Sequence, residues 1–240
     1  MYAAAAGMAA QQARIDAASN DLANVSTTGY KPVRVAFRDL VYDATQPGTS
    51  GGVRLGTGAA ATDIGRSNVQ GALQTTEEPL DVAVQGPGGI AVRLPDGARA
   101  ITRDGHLRTD AENRLVTDAG LQLDPPITLP AGTAAADVKI GADGSVSVGT
   151  RRLGRLTLQQ VSAPAGLQAG ESNTLRATQA SGDLRAAAGT TVQQGALEQS
   201  GTDVASAMTD MMGAQRAYQL TSRAIQVADQ AAQIANQIKR

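Results

Sequence analysis

The chain has no cysteine and no tryptophan, and only one phenylalanine and one histidine. Without cysteine there is neither a disulfide framework nor a thiolate metal site. With His106 as the sole histidine, imidazole clusters cannot form within one chain, and neither a metal nor a cofactor is expected. Aromatic residues amount to 2% of the 240. That leaves almost nothing on which a carbohydrate-binding module could stack a sugar. Twenty-one basic against twenty-two acidic residues bring the net charge close to zero, which removes the electrostatic footprint of a nucleic-acid binder. No polybasic run points to a membrane surface, and no stretch approaches the ~20 apolar residues of a membrane span. The start of the chain has no basic residue ahead of its alanines and soon meets Gln11, Gln12 and Arg14, so no cleaved signal peptide is expected.

What the chain has instead is small apolar side chains. Hydrophobic residues make up 42%, enough for a core, but alanine supplies much of that share and 27 glycines accompany it. Small side chains bury little area each and let backbones approach closely, which suits helix packing. Met1, Ala4, Met8, Gln11, Ile15, Ala18, Leu22 and Val25 follow alternating steps of three and four, a heptad seam with one polar interruption. The helix is expected to stop near Asn24 to Ser26, where Ser-Thr-Thr competes for backbone hydrogen bonds and Gly29 permits a left-handed turn. Pro32 keeps Lys31 extended.

Residues 43–65 carry six glycines and a proline with little periodicity. Composition alone favours a flexible connector there over an arm that orders against a neighbouring subunit. The period then changes to two. From about 70 to 201, short Val-, Ile-, Leu- and Thr-rich segments alternate with Pro95-Asp96-Gly97, Asp104-Gly105, Asp118-Ala119-Gly120 and Asp143-Gly144, which are hairpin signals because glycine accepts positive φ without steric cost. This predicts an antiparallel β domain, a thin sandwich or partly open barrel.

The last segment, 202–240, reads as a helix on the order of 55 Å long, with Thr202 or Asp203 as N-cap and Lys239 and Arg240 at the favourable end of the dipole. It opens with Val204, Met208, Met211 and Tyr218 on one face. The seam then drifts to Leu220, Ala224, Val227, Ala231, Ile234 and Ile238. The expected fold is therefore α+β: terminal helices in 1–29 and 202–240 paired as a coiled-coil stem, a linker and extended arm at 30–69, and an antiparallel β domain at 70–201. Met8, Ile15, Leu22 and Val25 are expected to face Leu220, Val227, Ile234 and Ile238, or the equivalent residues of neighbours. Met8, Met211, Met212 and Tyr218 cannot all face one partner, and an apolar patch left over marks a protein–protein interface. Identical patches meeting head to tail close into a ring or run on as a helical filament.

Catalytic readings fail on geometry. Glu77-Glu78 is the only adjacent acidic pair, and neighbours on an extended strand point to opposite faces. Gly86, Gly88 and Gly89 precede Ile90-Ala91-Val92, a strand pattern, so a phosphate loop would lack its helix N-terminus. The acidic turn at Asp143 lacks the rest of a calcium loop. No catalytic, cofactor-binding or small-molecule site is expected.

Two stretches carry a family resemblance. "SNDLANVSTTGYK", residues 19–31, is similar to the N-terminal signature of bacterial flagellar rod and hook proteins, and "QGALEQSGTDVASAMTDMMGAQRAYQLTSRAIQVADQ" resembles the C-terminal signature of the same family. "EEPLDVAVQGPGGIAV" and "IGADGSVSVG" follow its β-domain pattern, most nearly that of the distal rod subunit, with the proximal rod as near alternative. The chain departs from the pattern at Asp21, Ser26 and Tyr30, and at Gly88-Gly89-Ile90, where two aromatics are common. The resemblance implies a structural subunit polymerising with copies of itself, partnered by other rod proteins, hook protein, surrounding ring proteins and the flagellar type III export apparatus. The expected place is the basal body, across periplasm and peptidoglycan. It assigns Asn24, Thr28, Gly29, Arg216 and Tyr218 to the motif turn and subunit contact, and reverses the composition-only reading of 43–65 in favour of an inter-subunit arm.

Overall fold

The computed structural model describes residues 2–39 and 59–238, which divide into two compact units. One comprises residues 1–23, 33–64 and 203–240; the other comprises 24–32 and 65–202. Helices and antiparallel strands together make the fold α+β. Met1, Lys239, Arg240, the Ile238 side chain and the 43–58 part of the expected arm lie outside the described residues.

The first unit pairs α1, Tyr2–Ala23, with α2, Val204–Ile238. Asp203 caps α2: its carboxylate accepts the backbone N–H groups of Ala205 and Ser206, each at 3.3 Å, and the Ser206 hydroxyl at 2.5 Å. These bonds, the Ser206 hydroxyl first, hold the Asp203 carboxyl below the usual range. Along α1, Gly7 lies beside Thr221 and Arg14 pairs with Asp210 at 2.6 Å, so the helices run antiparallel.

The contact between them is made of small residues. Ala10, Ala18 and Ala214 are buried, and a Cβ on Gly7 would stand only 4.0 Å from Thr221 Cγ2. Around Ala214, α2 turns Ala207, Met211, Thr221 and Ile225 inward as half-buried side chains. This corrects the expected pairing within the chain. Leu220, Val227 and Ile234 are 66%, 63% and 56% exposed, so they do not meet Met8, Ile15 or Leu22, which are half-buried on α1. A periodicity count ranks large side chains first. Close backbone approach instead selects alanine and glycine.

The strand Val33–Asp39 pairs with Ala59–Arg66, so the stretch from 59 to 65 is not the loop its glycines suggested. In α1, Asp21 accepts the backbone N–H of Val33 at 3.1 Å.

In the second unit, one sheet is built around the hairpin Gly89–Arg93/Arg99–Thr102, turning through Pro95-Asp96-Gly97. The turn at Asp118-Ala119-Gly120 and the hairpin at Asp143-Gly144 also stand where expected. Asp104-Gly105 does not make a hairpin. Arg99–Thr102 is already paired on both edges, with Gly89–Arg93 and Thr174–Arg176, so Leu107–Thr109 pairs with Leu115–Thr117 instead. That second hairpin turns at Asn113, which takes φ +58°. Gly105 is required for another reason: its carbonyl accepts the Val82 N–H at 3.0 Å, and a Cβ there would overlap the Val82 carbonyl oxygen. Val82, Val84, Ile90, Leu115, Leu123, Val138, Val146 and Leu156 form one core shared by three sheets.

The two faces of α2 predict opposite responses. Ala214→Leu should overpack the helix pair and lower its stability by about 1–3 kcal/mol. Leu220→Ala, on the outer face, should stay within about 0.5 kcal/mol. Thermal melts of the unassembled chain followed by circular dichroism check both.

Candidate functional site: the motif turn and the outer helix face

The turn that follows α1 is held by local polar bonds. The Thr27 N–H and hydroxyl both donate to Asn24, to its carbonyl and to Oδ1, each at 3.1 Å. Gly29 takes φ +65°, and a Cβ there would stand 2.5 Å from the Arg103 carbonyl oxygen. No other residue fits that position without moving backbone. The Gly29 N–H donates to the Glu198 carbonyl at 2.7 Å, and Asn173 Nδ2 donates to the Thr28 carbonyl at 2.7 Å. Tyr30 and Lys31 are buried. The Gly201 N–H reaches the Tyr30 carbonyl at 2.9 Å. The residues just after α1 and just before α2 are therefore bonded to one another within the second unit.

Under this turn lies a buried ion cluster. The fully buried Glu198 carboxylate receives Lys31 Nζ at 2.5 Å, Arg103 Nη1 at 2.8 Å and the Gly71 N–H at 2.8 Å. Lys31 also donates to the Val69 carbonyl at 2.5 Å. Arg103 spends Nε on the Gly88 carbonyl and Nη2 on the Gly86 carbonyl, at 2.8 and 2.5 Å. Burial pushes the Lys31 ammonium below its usual range, and the Arg103 charge adds to that; the Glu198 bond opposes it. Arg66 donates to the Lys31 carbonyl at 2.7 Å and lies 5.1 Å above the Tyr30 ring. None of Lys31, Arg66, Arg103 or Glu198 stood among the expected interface residues. Lys31 is inside the N-terminal signature and Glu198 inside the C-terminal one, so position in the motifs was the available signal.

The expected interface residues fall into three groups. Asn24, Val25, Thr28 and Gly29 belong to the motif turn. Met8, Ile15, Leu22 and Met211 flank the alanine contact as half-buried side chains. Arg216, Tyr218, Leu220, Val227 and Ile234 are exposed on α2. With Ala224 and Ala231, the last three repeat the four-three spacing of a coiled-coil seam on a face that no residue of the same helix pair covers.

The residues read for chemistry gather no active site. His106 is a half-exposed residue whose Nδ1 lies 2.7 Å from the buried Asp81 Oδ1. Burial raises the neighbouring Asp104 carboxyl, an effect partly offset by the His106 N–H it accepts. Among the described residues no group of three or more His, Asp or Glu is placed to hold a metal ion, and no helix is long and apolar enough to cross a membrane.

Comparison with known proteins gives three family matches in chain order. Residues 1–31 match "Flagella basal body rod protein", 83–148 match "Flagellar hook protein FlgE/F/G D1 domain", and 193–238 match "Flagellar basal body rod FlgEFG protein C-terminal". The flagellar basal-body rod protein FlgG of Borreliella burgdorferi is 36% identical, over 92% of this chain and 91% of its own. FlgG of Caulobacter vibrioides is 35% identical over 90% of both chains. The flagellar hook protein FlgE of Helicobacter mustelae is 35% identical over only 50% of this chain and 29% of its own.

The ion cluster makes two predictions. Glu198→Gln leaves two buried cations without their counter-charge and should lower the stability measured in urea by about 3–5 kcal/mol. Lys31 binds its proton less tightly in the fold than in the unfolded chain, so its unfavourable contribution is fullest below its folded pKa and is relieved as pH rises towards the ordinary value of 10.5. The stability difference between wild type and Lys31→Met should therefore move in favour of wild type on raising pH through the alkaline range; denaturant midpoints against pH check the sign.

Proposed function

The chain belongs to the flagellar rod and hook protein family, and on that footing we propose that it works as the distal rod subunit, through the outer seam of α2. Its function is structural and not enzymatic: it is a subunit of the flagellar basal-body rod. The two FlgG relatives align along nearly their whole length and the hook protein along less than a third, which supports rod over hook.

One observation carries the mechanism. Leu220, Val227 and Ile234 stand exposed at seven-residue intervals on a 35-residue helix that already uses another face for α1. An apolar seam of that length is covered when neighbouring copies supply matching helices. A heterologous contact of this kind repeats, and identical subunits then build a helical polymer. In this reading 1–29 and 202–240 form a coiled-coil core around a hollow shaft, and the β domain at 70–201 forms its outer layer. The shaft joins other rod proteins to the hook inside the surrounding rings and carries torque, with subunits delivered by the type III export apparatus.

Electron microscopy of basal bodies from cells lacking this gene tests the assignment. The expected result is a rod that stops short and carries no hook. Loss of the whole rod would move the subunit to the proximal segment, and intact basal bodies would overturn the structural role. At residue level, Val227→Asp should leave the unassembled chain folded and reduce incorporation into rods at least about tenfold, as expected when a charge enters a buried seam.

A further inference from the structure

Next to the ion cluster, the second unit encloses a cavity of about 40 Å³. A single water needs ~10–15 Å³ on this measure, so there is room for a group of a few heavy atoms and no more. Lys31, Arg66 and Arg103 stand in its wall together with the neutral polar Ser67, Asn68 and Gln160, and Ile101, Val161, Leu167 and Leu175 supply its aliphatic side. Three cations thus border one small space, and among the described residues the one carboxylate bonded to any of them is Glu198, which is shared between Lys31 and Arg103. Arg66 makes one hydrogen bond, to the Lys31 carbonyl, and stacks on the buried Tyr30 ring, with no carboxylate among the described residues. The stacking fixes its guanidinium while leaving donors unused, so a ligand would meet a preorganised cation.

We propose that this cavity is a binding site for a single carboxylate on a short aliphatic stem, with Arg66 as its principal ion partner. The half-buried Arg66 charge, without a bonded carboxylate among the described residues, favours an anion in the cavity. The aliphatic wall then selects for a ligand charged at one end only. Inorganic phosphate, polar on every side, has nothing to offer Ile101 or Leu175. Lys31 points the same way: burial and the Arg103 charge lower its proton affinity, and an anion in the cavity would raise it again. The carboxylate can belong to a free short-chain acid or to an acidic side chain of another protein chain. The proposal is independent of the rod assignment.

The test is a titration of the full chain at constant ionic strength with butyrate, n-butylamine and inorganic phosphate, followed by methyl NMR signals of Ile101, Val161, Leu167 and Leu175. Butyrate should give saturable shifts at these methyls, and butylamine and phosphate none. In Arg66→Gln, checked for an unchanged melting temperature, butyrate affinity should fall about tenfold or more, the loss expected for one charge-assisted hydrogen bond. A blocked Ala-Glu-Ala peptide assigns the source: saturable shifts at the same methyls mean that a chain's side chain can enter, and their absence restricts the site to free acids. No butyrate binding, equal response to butylamine or phosphate, or full affinity in Arg66→Gln overturns the proposal. The comparison among ligands on the wild-type chain decides it even if the variant does not fold.

Discussion

The Glu198 carboxylate is the point on which the arrangement of the second unit turns. It joins Lys31 to residues 167 positions further along the chain, and it joins Arg103, in the middle of the β sheet, to the same place. It adds a side-chain anchor to the backbone bonds that hold the 24–32 segment, whose own apolar contribution is little more than Tyr30. A buried ion cluster adds little net stability, since desolvation consumes most of the Coulomb gain. Its value here is geometric. Arg103 places three bonds and Lys31 two on particular acceptors, and a shift of one residue along 24–32 would leave the Lys31 charge buried and unpaired. The cluster fixes register where an apolar contact would tolerate slippage.

Registering that segment has a further effect. With Gly29 bonded to Glu198 and Tyr30 bonded to Gly201, the last residues before α2 are tied to the first residues after α1. The two family signatures meet there. A turn that must pass within contact of the Arg103 backbone needs a glycine, and a helix that starts three residues after Gly201 needs a cap, which Asp203 supplies. The signature residues thus have local physical work to do apart from any partner.

Much of this was legible in the sequence, for reasons that can be named. Asp-Gly turns, the Asp203 cap and the stop after Ala23 each rest on short-range chemistry, and each came out close to expectation. Asp104-Gly105 misled because the same dipeptide serves a crossing chain that must touch Val82, and local sequence does not reveal which edges of Arg99–Thr102 are already paired. The helix contact misled because alanine looks like filler in a hydrophobic pattern, whereas in antiparallel close packing it is the residue that touches. The ion cluster left no hydropathy pattern, only the place of Lys31 and Glu198 in the two signatures: its members are charged, and charge normally reads as surface.

The two units differ in how much they bury. Among the described residues, the buried apolar side chains of the helical unit are Ala10, Ala18 and Ala214; the others, from Tyr30 to Ala196, belong to the second unit. Alanines save side-chain entropy but return little apolar area, and helices with so little packing are marginal in water. Of the larger apolar side chains of α2, Met211 and Ile225 are half-buried beside the alanine contact, while Leu220, Val227 and Ile234 stand outside it. Covering Leu220, Val227 and Ile234 would return roughly 1.5–3 kcal/mol for each. Together that approaches the net stability of a whole domain, about 5–15 kcal/mol. On the proposed seam contact, the helical unit gains its principal stabilisation when a neighbouring copy covers that face, whereas the β unit carries its own core. Had Leu and Ile been spent on the intrachain contact, the helices would be more stable alone and would have less to gain from polymerising.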